Sequence, residues 1–144
     1  LEESHAIIDN FMEGFVVTDE IKEKISKTQD LINEIIQKEN IITADKEAAE
    51  ICIREYQKKL EYIELIAILD SKGYVIGSTT EIPENIKDCS AKPYYITAMQ
   101  DQTYISKEYI SSASGNYNIT VAMPIIYKDT IKGVLMADIN INEN

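Results

Sequence analysis

The sequence predicts an α+β domain, in which two helices precede an antiparallel sheet of about five strands. In the first 60 residues, apolar side chains recur every three or four positions, which is the period of an amphipathic helix. From Tyr62 onward the pattern changes to short runs rich in β-branched and aromatic residues. Turns rich in Gly, Ser, Asn and Asp separate these runs, as expected for strands joined by tight connections.

Composition limits the functions that the chain can have. Its 144 residues suffice for one domain with a substantial core but hardly for two. The 14 basic residues against 25 acidic ones give a net charge of -11. We therefore expect no binding to nucleic acid, because phosphate contacts need clustered Lys and Arg. An anionic membrane surface is disfavoured for the same reason.

The N-terminal 40 residues are predicted to form one long helix, and residues 41–144 are predicted to form the domain that follows it. The apolar stripe of this helix consists of Ile8, Phe11, Phe15, Ile21, Ile25, Ile32 and Ile36. At ~1.5 Å per residue this helix exceeds about 50 Å, which is longer than a domain of this size. Part of it should therefore project or pair with a second copy, so we expect a homodimer. His5 on this helix is expected to be solvated.

The helical pattern already runs at Leu1, and the last strand ends just before Asn144. We therefore expect a fragment of a longer protein. No stretch approaches the ~20 apolar residues of a spanning helix, and no signal peptide is visible.

A second helix is predicted from a break at Asn40–Thr43 to about Leu60. Thr43 is a good N-cap, and Asp45 and Glu47 favour the positive end of the helix dipole. Tyr56, like Tyr62 beyond the helix, is expected to pack in the core.

The strands are expected over residues 62–69, 74–78, 104–112, 117–127 and 131–141. The first is apolar at both alternating sets of positions, so we expect it to be covered on both faces. Asp70–Gly73 should form a hairpin turn, and Pro93–Met99 a short helix. Pro124 removes a backbone donor and indicates a bulge or a strand end. This order of elements is typical of a PAS-like fold.

Asp138 is the first candidate binding residue, because it lies in the apolar run Val134–Ile139. Strand alternation places it on the same face as Val134 and Met136. A carboxylate among apolar neighbours costs free energy unless it is paired or hydrogen-bonded. It could cap a turn or reach solvent at a fraying strand end; alternatively, its partner is a ligand ammonium.

The second candidate group is Lys92 with Tyr94 and Tyr95, which follow Pro93, together with Tyr109 further on. Aromatic rings beside a cation can wall a small pocket, and their hydroxyls can donate hydrogen bonds. A loop lysine can equally be only solvated, and the chain has 9 Tyr, so each ring alone is weak evidence.

Neither metal nor catalytic chemistry is expected. Cys52, Cys89 and a single His do not supply the four ligands of a structural zinc site. No cofactor is expected, and no nucleophile has a visible base partner. A disulfide between Cys52 and Cys89 stays open, since each can also act as a small hydrophobe.

The sequence also resembles the Cache domains, which are extracytoplasmic ligand-sensing domains of bacterial chemoreceptors, sensor histidine kinases and diguanylate cyclases. The resemblance covers about residues 41–141 and is carried, in order, by Asp70–Ser78, Lys92–Tyr95, Ile105–Ser106, Ile119–Ile125 and Gly133–Ile139. It implies a PAS-like sheet with a long helix on one face and a ligand pocket on the other, and a membrane-anchored parent protein in which this helix continues from a transmembrane segment.

In Cache domains that bind amino acids, an Arg-x-Trp-Tyr element holds the ligand carboxylate, and a later Tyr and Asp hold its amine. The resemblance places Lys92, Tyr94 and Tyr95 at the first element, and Tyr109 and Asp138 at the second. Lys replaces Arg and Tyr replaces Trp, and Lys lacks the two-pronged grip of a guanidinium.

The main hypothesis is an extracytoplasmic sensor domain, most readily of a chemoreceptor, that binds an amino acid, amine or small carboxylate and signals through its N-terminal helix. A histidine kinase or diguanylate cyclase as the parent protein is the alternative. A further alternative, from another class, is a ligand-free module that acts through dimer contacts of residues 1–39.

Overall fold

The computed structural model describes residues 17–43 and 45–142. The helices lie at α1 Asp19–Ile35, α2 Glu39–Ile42, α3 Lys46–Gln57 and α4 Pro93–Ala98, with a short 3-10 helix at Glu84–Ile86. The strands lie at β1 Ile63–Asp70, β2 Val75–Ser78, β3 Tyr104–Ile105, β4 Tyr109–Ile110, β5 Tyr117–Tyr127 and β6 Thr130–Asn140. His5, Ile8, Phe11 and Phe15 of the predicted first helix lie outside the described residues.

The first described helix is stabilised at its start by Thr18, whose Oγ1 accepts a hydrogen bond from the Ile21 N–H at 3.2 Å. Asp19 and Glu20 add negative charge at the positive end of the helix dipole. The helix ends at Ile35, a few residues before the predicted end near residue 40.

The predicted break contains the short helix α2, and this changes the cap of the next helix. Thr43, the predicted N-cap, is instead the C-terminal cap of α2, where its N–H bonds the Glu39 carbonyl at 2.9 Å. Asp45 caps α3, and its Oδ1 accepts from the Ala48 N–H at 3.4 Å. The Thr43 prediction was therefore wrong, because that residue already closes another helix.

The sheet is antiparallel, with the strand order β2-β1-β6-β5-β3, and β4 also pairs with β5. The prediction of an α+β, PAS-like fold is confirmed. The predicted single strand over residues 104–112 was wrong, because it is divided into β3 and β4. The register against β5 shifts by one residue between them, from Ile105↔Val121 to Tyr109↔Asn118.

Ser106 explains where this strand is interrupted. Its Oγ accepts the Thr120 N–H at 2.8 Å, so a side chain replaces a backbone acceptor of the ladder. The chain then leaves β5 and returns to it at Tyr109.

Two apolar cores lie on opposite faces of the sheet. Helices α1 to α3 cover one face, whose fully buried side chains include Ile32, Ile53, Ile66, Ile119 and Ile139. Helix α4 belongs to the other face, with Ala67, Leu69, Tyr95, Ala122 and Met136. Strand β1 contributes to both cores, as its two-sided apolar pattern predicted. Each buried Ile or Leu stabilises the fold by about 1.5–3 kcal/mol relative to an exposed one.

Both cysteines are free. Cys52 packs against the core under α1 to α3, whereas Cys89 is buried in the core on the α4 side. The sheet lies between the two cores, so the disulfide that the sequence left open does not form.

The β1–β2 connection is fixed as the sequence predicted. Asp70 Oδ1 accepts from the N–H groups of Lys72 and Tyr74 at 2.9 and 3.0 Å. Gly73 has a φ of 87°, a conformation that side chains disfavour.

In β5, the register against β6 shifts just beyond Pro124, between Ile125 and Ile126. None of the helices in the described ranges is long and apolar enough to cross a membrane.

Candidate ligand-binding site

The candidate site is built around the carboxylate of Asp138, near the end of the central strand β6. Thr120 is its direct partner on β5 and donates a hydrogen bond from Oγ1 to Asp138 Oδ1 at 2.7 Å. Tyr109 donates its hydroxyl to the same oxygen at 3.0 Å. The two hydroxyl oxygens lie 2.7 Å apart. Strands β4, β5 and β6 thus each supply one polar group to a single cluster.

The Asp138 residue as a whole is partly exposed, but its carboxylate is largely buried. Burial raises its pKa above the ordinary value, and the hydrogen bonds from Thr120 and Tyr109 only partly offset this effect. The charge of Glu64 raises the pKa further. Among the described residues, no Lys or Arg forms an ion pair with Asp138.

Tyr109 joins the site although the residue as a whole is 36% exposed. Burial of the hydroxyl and the adjacent charge of Asp138 raise its pKa strongly. The phenol therefore stays protonated over the physiological range and keeps donating to the carboxylate.

Tyr94 approaches the cluster from α4. Burial is the largest cause that raises its pKa, followed by a hydrogen bond with the Cys89 side chain and by the charges of Asp138 and Tyr109. The charge of Asp138 therefore acts on this hydroxyl, and the Tyr94 side chain packs against the core on the α4 side of the sheet. The Sγ atom of Cys89 in turn donates to the Ile86 carbonyl at 3.7 Å, so this side of the cluster is tied to the preceding loop.

Tyr95 and Lys92 lie apart from this cluster. Tyr95 is buried in the α4 core, and its hydroxyl donates to the Ser71 carbonyl at 2.7 Å in the β1–β2 turn. Lys92 is exposed at the N-cap position of α4 and forms no ion pair within the described ranges. The structure therefore brings Tyr109 and Asp138 together, with Tyr94 close enough for the carboxylate charge to act on it, whereas ligand contact at all five predicted residues stays a prediction.

Two polar residues of this face were not identified from the sequence. Thr120 was included only in the predicted strand over residues 117–127 and in the Cache-like stretch Ile119–Ile125, although it pairs directly with Asp138. Glu64 interrupts the apolar strand β1 in the same way as Asp138 interrupts β6, and that signal could have found it. It accepts hydrogen bonds from three residues of the β4–β5 hairpin.

A groove of about 820 Å³ lies elsewhere, between α3, β2 and the loop after β2. Its walls carry charges of both signs, including Lys46, Arg54, Glu50 and Glu84. Glu84 already pairs with Lys87 at 3.2 Å and accepts from the Tyr74 hydroxyl at 3.0 Å. We place the site at Asp138 instead, because that charge lacks a countercharge, whereas the groove is open and partly neutralised.

Within the described ranges, no group of three or more His, Cys, Asp or Glu side chains could hold a metal ion. The chemistry that the Asp138 cluster offers is that of a partly buried anion with hydroxyl donors and aromatic rings. Such a cluster can bind a cation through hydrogen bonds and through the ring faces.

No family model matches the sequence, and no curated protein matches it significantly. Solved structures do resemble it. The ligand-binding domain of the Campylobacter jejuni chemoreceptor Tlp3, in complex with 4-methylisoleucine, has a TM-score of 0.67 at 16% identity. That of the Pseudomonas fluorescens chemoreceptor CtaA, in complex with L-alanine, has a TM-score of 0.67 at 17% identity. The ligand-binding domain of Mlp24 with asparagine has a TM-score of 0.65 at 14% identity.

These alignments cover 96–97% of this chain but only 57–60% of the solved ones. The chain thus spans less than two thirds of the length of the domains that it resembles. At such low identity the likeness concerns the fold. The chain has the PAS-like fold of chemoreceptor ligand-binding domains, as its resemblance to Cache domains implied.

Proposed function

We propose that this chain is a sensor domain that binds the ammonium group of a small molecule, an amino acid or a related amine, at Asp138. The observation that carries the proposal is the uncompensated charge of this residue. Its carboxylate is largely buried, receives two hydroxyl hydrogen bonds and has no cationic partner in the described part of the chain. Burying a charge in this way costs free energy that a bound cation would recover.

The geometry supports an ammonium group in particular. Both hydroxyls donate to Oδ1, so the second oxygen, Oδ2, receives neither of these bonds. An ammonium offers three donors and can bind that oxygen. We expect the rings of Tyr94 and Tyr109 to contribute aromatic surface for the ligand cation, because ring faces attract cations once water is excluded. The complexes of Tlp3, CtaA and Mlp24 with amino acids support this choice of ligand class.

Lys92 is the proposed partner of a ligand carboxylate. It precedes α4 by one position, whereas Tyr94 on that helix points to the cluster. Its side chain forms no ion pair in the described ranges, so it can turn toward an anion without breaking one. An amino acid would use both ends of the site, and a simple amine only the Asp138 end.

A link between the site and the N-terminal helix supports a signalling role. Lys24 on α1 donates from Nζ to the Asn140 carbonyl at 3.1 Å, two residues beyond Asp138 on β6. A change at the carboxylate can therefore reach α1 through one strand and one hydrogen bond. We propose that the parent protein is a membrane-anchored receptor, that this domain lies on the extracytoplasmic side and that it dimerises through the N-terminal helix.

A thermal-shift screen of amino acids, simple amines and small carboxylates tests the binding proposal. A ligand at a hundredfold excess over its Kd stabilises the fold by about 2.7 kcal/mol. Asp138→Ala should abolish the shift of every amine-bearing hit, whereas Lys92→Ala should weaken only hits that carry a carboxylate. Asp30→Ala, an exposed position on α1, serves as the control. Amine hits that survive Asp138→Ala unchanged would place the site elsewhere.

Sedimentation of the fragment at high concentration tests the dimer. We expect self-association that weakens when apolar residues of the N-terminal stripe are replaced by polar ones. A fragment that stays monomeric at millimolar concentration, while the amine hits persist, would contradict dimerisation but not sensing. A dimer without any hit would instead favour the ligand-free interaction module.

A further inference from the structure

Glu64 holds an unusual position in the sheet. Ile63 pairs with Ile139 and Leu65 with Asp138, so Glu64 is an extra residue of β1 at a bulge. Bulges re-aim side chains and are common beside binding sites. Here the bulge turns a carboxylate toward the hairpin that joins β4 to β5.

Three hairpin side chains donate hydrogen bonds to Glu64. Oε1 accepts from Ser114 Oγ at 2.7 Å and from Asn118 Nδ2 at 3.0 Å, and Oε2 accepts from Asn116 Nδ2 at 2.6 Å. Burial alone would raise the pKa of Glu64, but these hydrogen bonds outweigh burial and lower it. Glu64 is therefore ionised at neutral pH, and its charge is neutralised by none of the described Lys or Arg side chains.

Apart from Glu64, the hairpin tip is held by Asn142 just beyond β6, whose Nδ2 donates to Asn116 Oδ1 at 3.1 Å and whose Oδ1 accepts from the Tyr117 N–H at 2.8 Å. Residues 111–116 are exposed or only partly buried. Ile110 and Tyr117, which flank the tip, are 63% and 48% exposed, so they contribute little to either core. Within the tip, the Ser111 N–H bonds the Asn116 carbonyl and the Gly115 N–H bonds the Ser111 carbonyl, but these bonds do not reach the sheet. The hydrogen bonds to Glu64 connect the tip to β1, which lies on the other side of β6 from β5.

The three hydrogen bonds from Ser114, Asn116 and Asn118 to Glu64, here called the clasp, bear directly on the position of Tyr109. Strand β4 has only two residues, and Tyr109 pairs with Asn118, which is itself one of the donors to Glu64. Glu64 thus adds to the backbone ladder, in which Asn118 also pairs with Asn140 on β6, and holds the strand of Tyr109 at its paired residue and at the adjoining tip.

We infer that Glu64 is a positioning residue, which holds the β4–β5 hairpin against the sheet and so keeps the Tyr109 hydroxyl on Asp138. The inference rests on the proposed function only for its biological meaning, since the clasp itself exists without ligand. In the sensor, Glu64 would set how well the ammonium site is preformed. Loss of the clasp would release Tyr109 together with the hairpin.

The ionisation of Tyr109 reports this positioning, because Glu64 is not among the causes that raise the Tyr109 pKa. An unperturbed tyrosine ionises near pH 10. In the wild-type protein we expect Tyr109 to stay protonated at about pH 11, one unit above that value. In Glu64→Ala we expect it to ionise at that pH, because it leaves the carboxylate. NMR of tyrosine labelled at Cζ, assigned with Tyr109→Phe, measures this, and circular dichroism checks that both proteins remain folded.

Further variants separate positioning from a general loss of stability. Glu64→Gln keeps one acceptor oxygen and should restore protonation of Tyr109 in part. Glu61→Ala, at an exposed carboxylate three residues away, should behave as wild type. Asn116→Ala should act in the same direction as Glu64→Ala, and the double variant should add little. Amide exchange at Gly115 should accelerate about tenfold or more in Glu64→Ala.

A Tyr109 that stays protonated in folded Glu64→Ala, with unchanged exchange at Gly115, would overturn the inference. None of these measurements needs a ligand. If the clasp behaves as expected while no amine binds in the thermal-shift screen, the positioning role stands and the proposed function fails.

Discussion

Replacing Asp138 by asparagine separates the charge of the site from its shape. Asparagine keeps a side-chain oxygen that can accept the hydrogen bonds of Thr120 and Tyr109, which reach Oδ1 at 2.7 and 3.0 Å. It removes the negative charge, which is disfavoured mainly by burial. We therefore expect Asp138→Asn to stabilise the ligand-free protein at neutral pH and to weaken the binding of amines strongly.

The pH dependence fixes the sign of the stability change. The pKa of Asp138 is raised in the folded protein, so between the unfolded value of about 3.9 and the folded value the native state binds more protons. The free energy of unfolding of the wild-type protein therefore falls as pH rises through this window. In Asp138→Asn the side chain does not titrate, so its free energy of unfolding does not fall for this reason. Relief of such functional-site strain typically adds about 0.5–2 kcal/mol. For a domain of this size, 1 kcal/mol raises Tm by about 3 °C.

The binding loss should be larger than the stability gain. Truncating one partner of a close, buried ion pair typically costs about 2–5 kcal/mol. Since ~1.4 kcal/mol corresponds to a tenfold change, the Kd for an amine should rise at least about 30-fold. Calorimetric titration with the amine hits of the screen measures this change.

Thermal unfolding of wild type, Asp138→Asn and the control Asp30→Asn between about pH 4 and 8 tests the stability part. The curves of Asp138→Asn and wild type should converge at low pH and separate as pH rises, with the variant above. A variant that is less stable than wild type at neutral pH would show that the carboxylate serves the fold. That result would refute our reasoning about an unsatisfied charge.

Three further predictions concern single side chains. Tyr109→Phe removes a donor to the site carboxylate, so calorimetry should show weaker amine binding by about tenfold, as for one charge-assisted hydrogen bond. Tyr95→Phe removes only a bond to a turn carbonyl, so urea unfolding should show a loss of about 1 kcal/mol with unchanged amine binding. Gly133→Ala would place a Cβ 2.2 Å from the Leu69 carbonyl oxygen and should cost about 2 kcal/mol or more, whereas Gly115→Ala, with open space but a φ of 76°, should cost about 1 kcal/mol.

Asp138 could be singled out from the sequence because a carboxylate in an apolar strand is a strong local signal, although its contact with a ligand stays a prediction. Strand alternation then assigned its face, and the structure keeps it on the face of Val134 and Met136. The same reasoning applied to Glu64 would have been incomplete, because alternation fails at a bulge. The bulge depends on how β1 meets β6, and the sequence of β1 alone does not contain that information.

The neighbouring tyrosines of α4 show a second limit. Tyr94 turns to the site and Tyr95 to the turn near Ser71, although the two side chains are of identical type and adjacent in sequence. In a helix of six residues, both faces can be buried, and the helix has no long apolar stripe to orient it. The choice between them is made by packing on the sheet.

The limits of secondary-structure prediction have a similar cause. Thr43 and Asp45 are both good N-caps, and the short helix α2 decides between them by using Thr43 at its own end. The division of β3 from β4 depends on the Ser106 side chain, which replaces a backbone acceptor for Thr120. Both outcomes result from interactions that local propensity does not describe.

The position of β6 in the sheet has a consequence for how the protein is made. This strand follows all the other described strands in the chain, yet it lies in the middle of the sheet, between β1 and β5. Its pairing with β1 joins residues as distant as Ile63 and Ile139, and contacts of such long range form slowly. During synthesis, the edges of β1 and β5 that face β6 remain unpaired until β6 has been made. In that interval these apolar strands can aggregate. A nascent chain that has not reached Thr130 has neither a continuous sheet nor Asp138, so the fold and the proposed binding carboxylate are completed in the same late step.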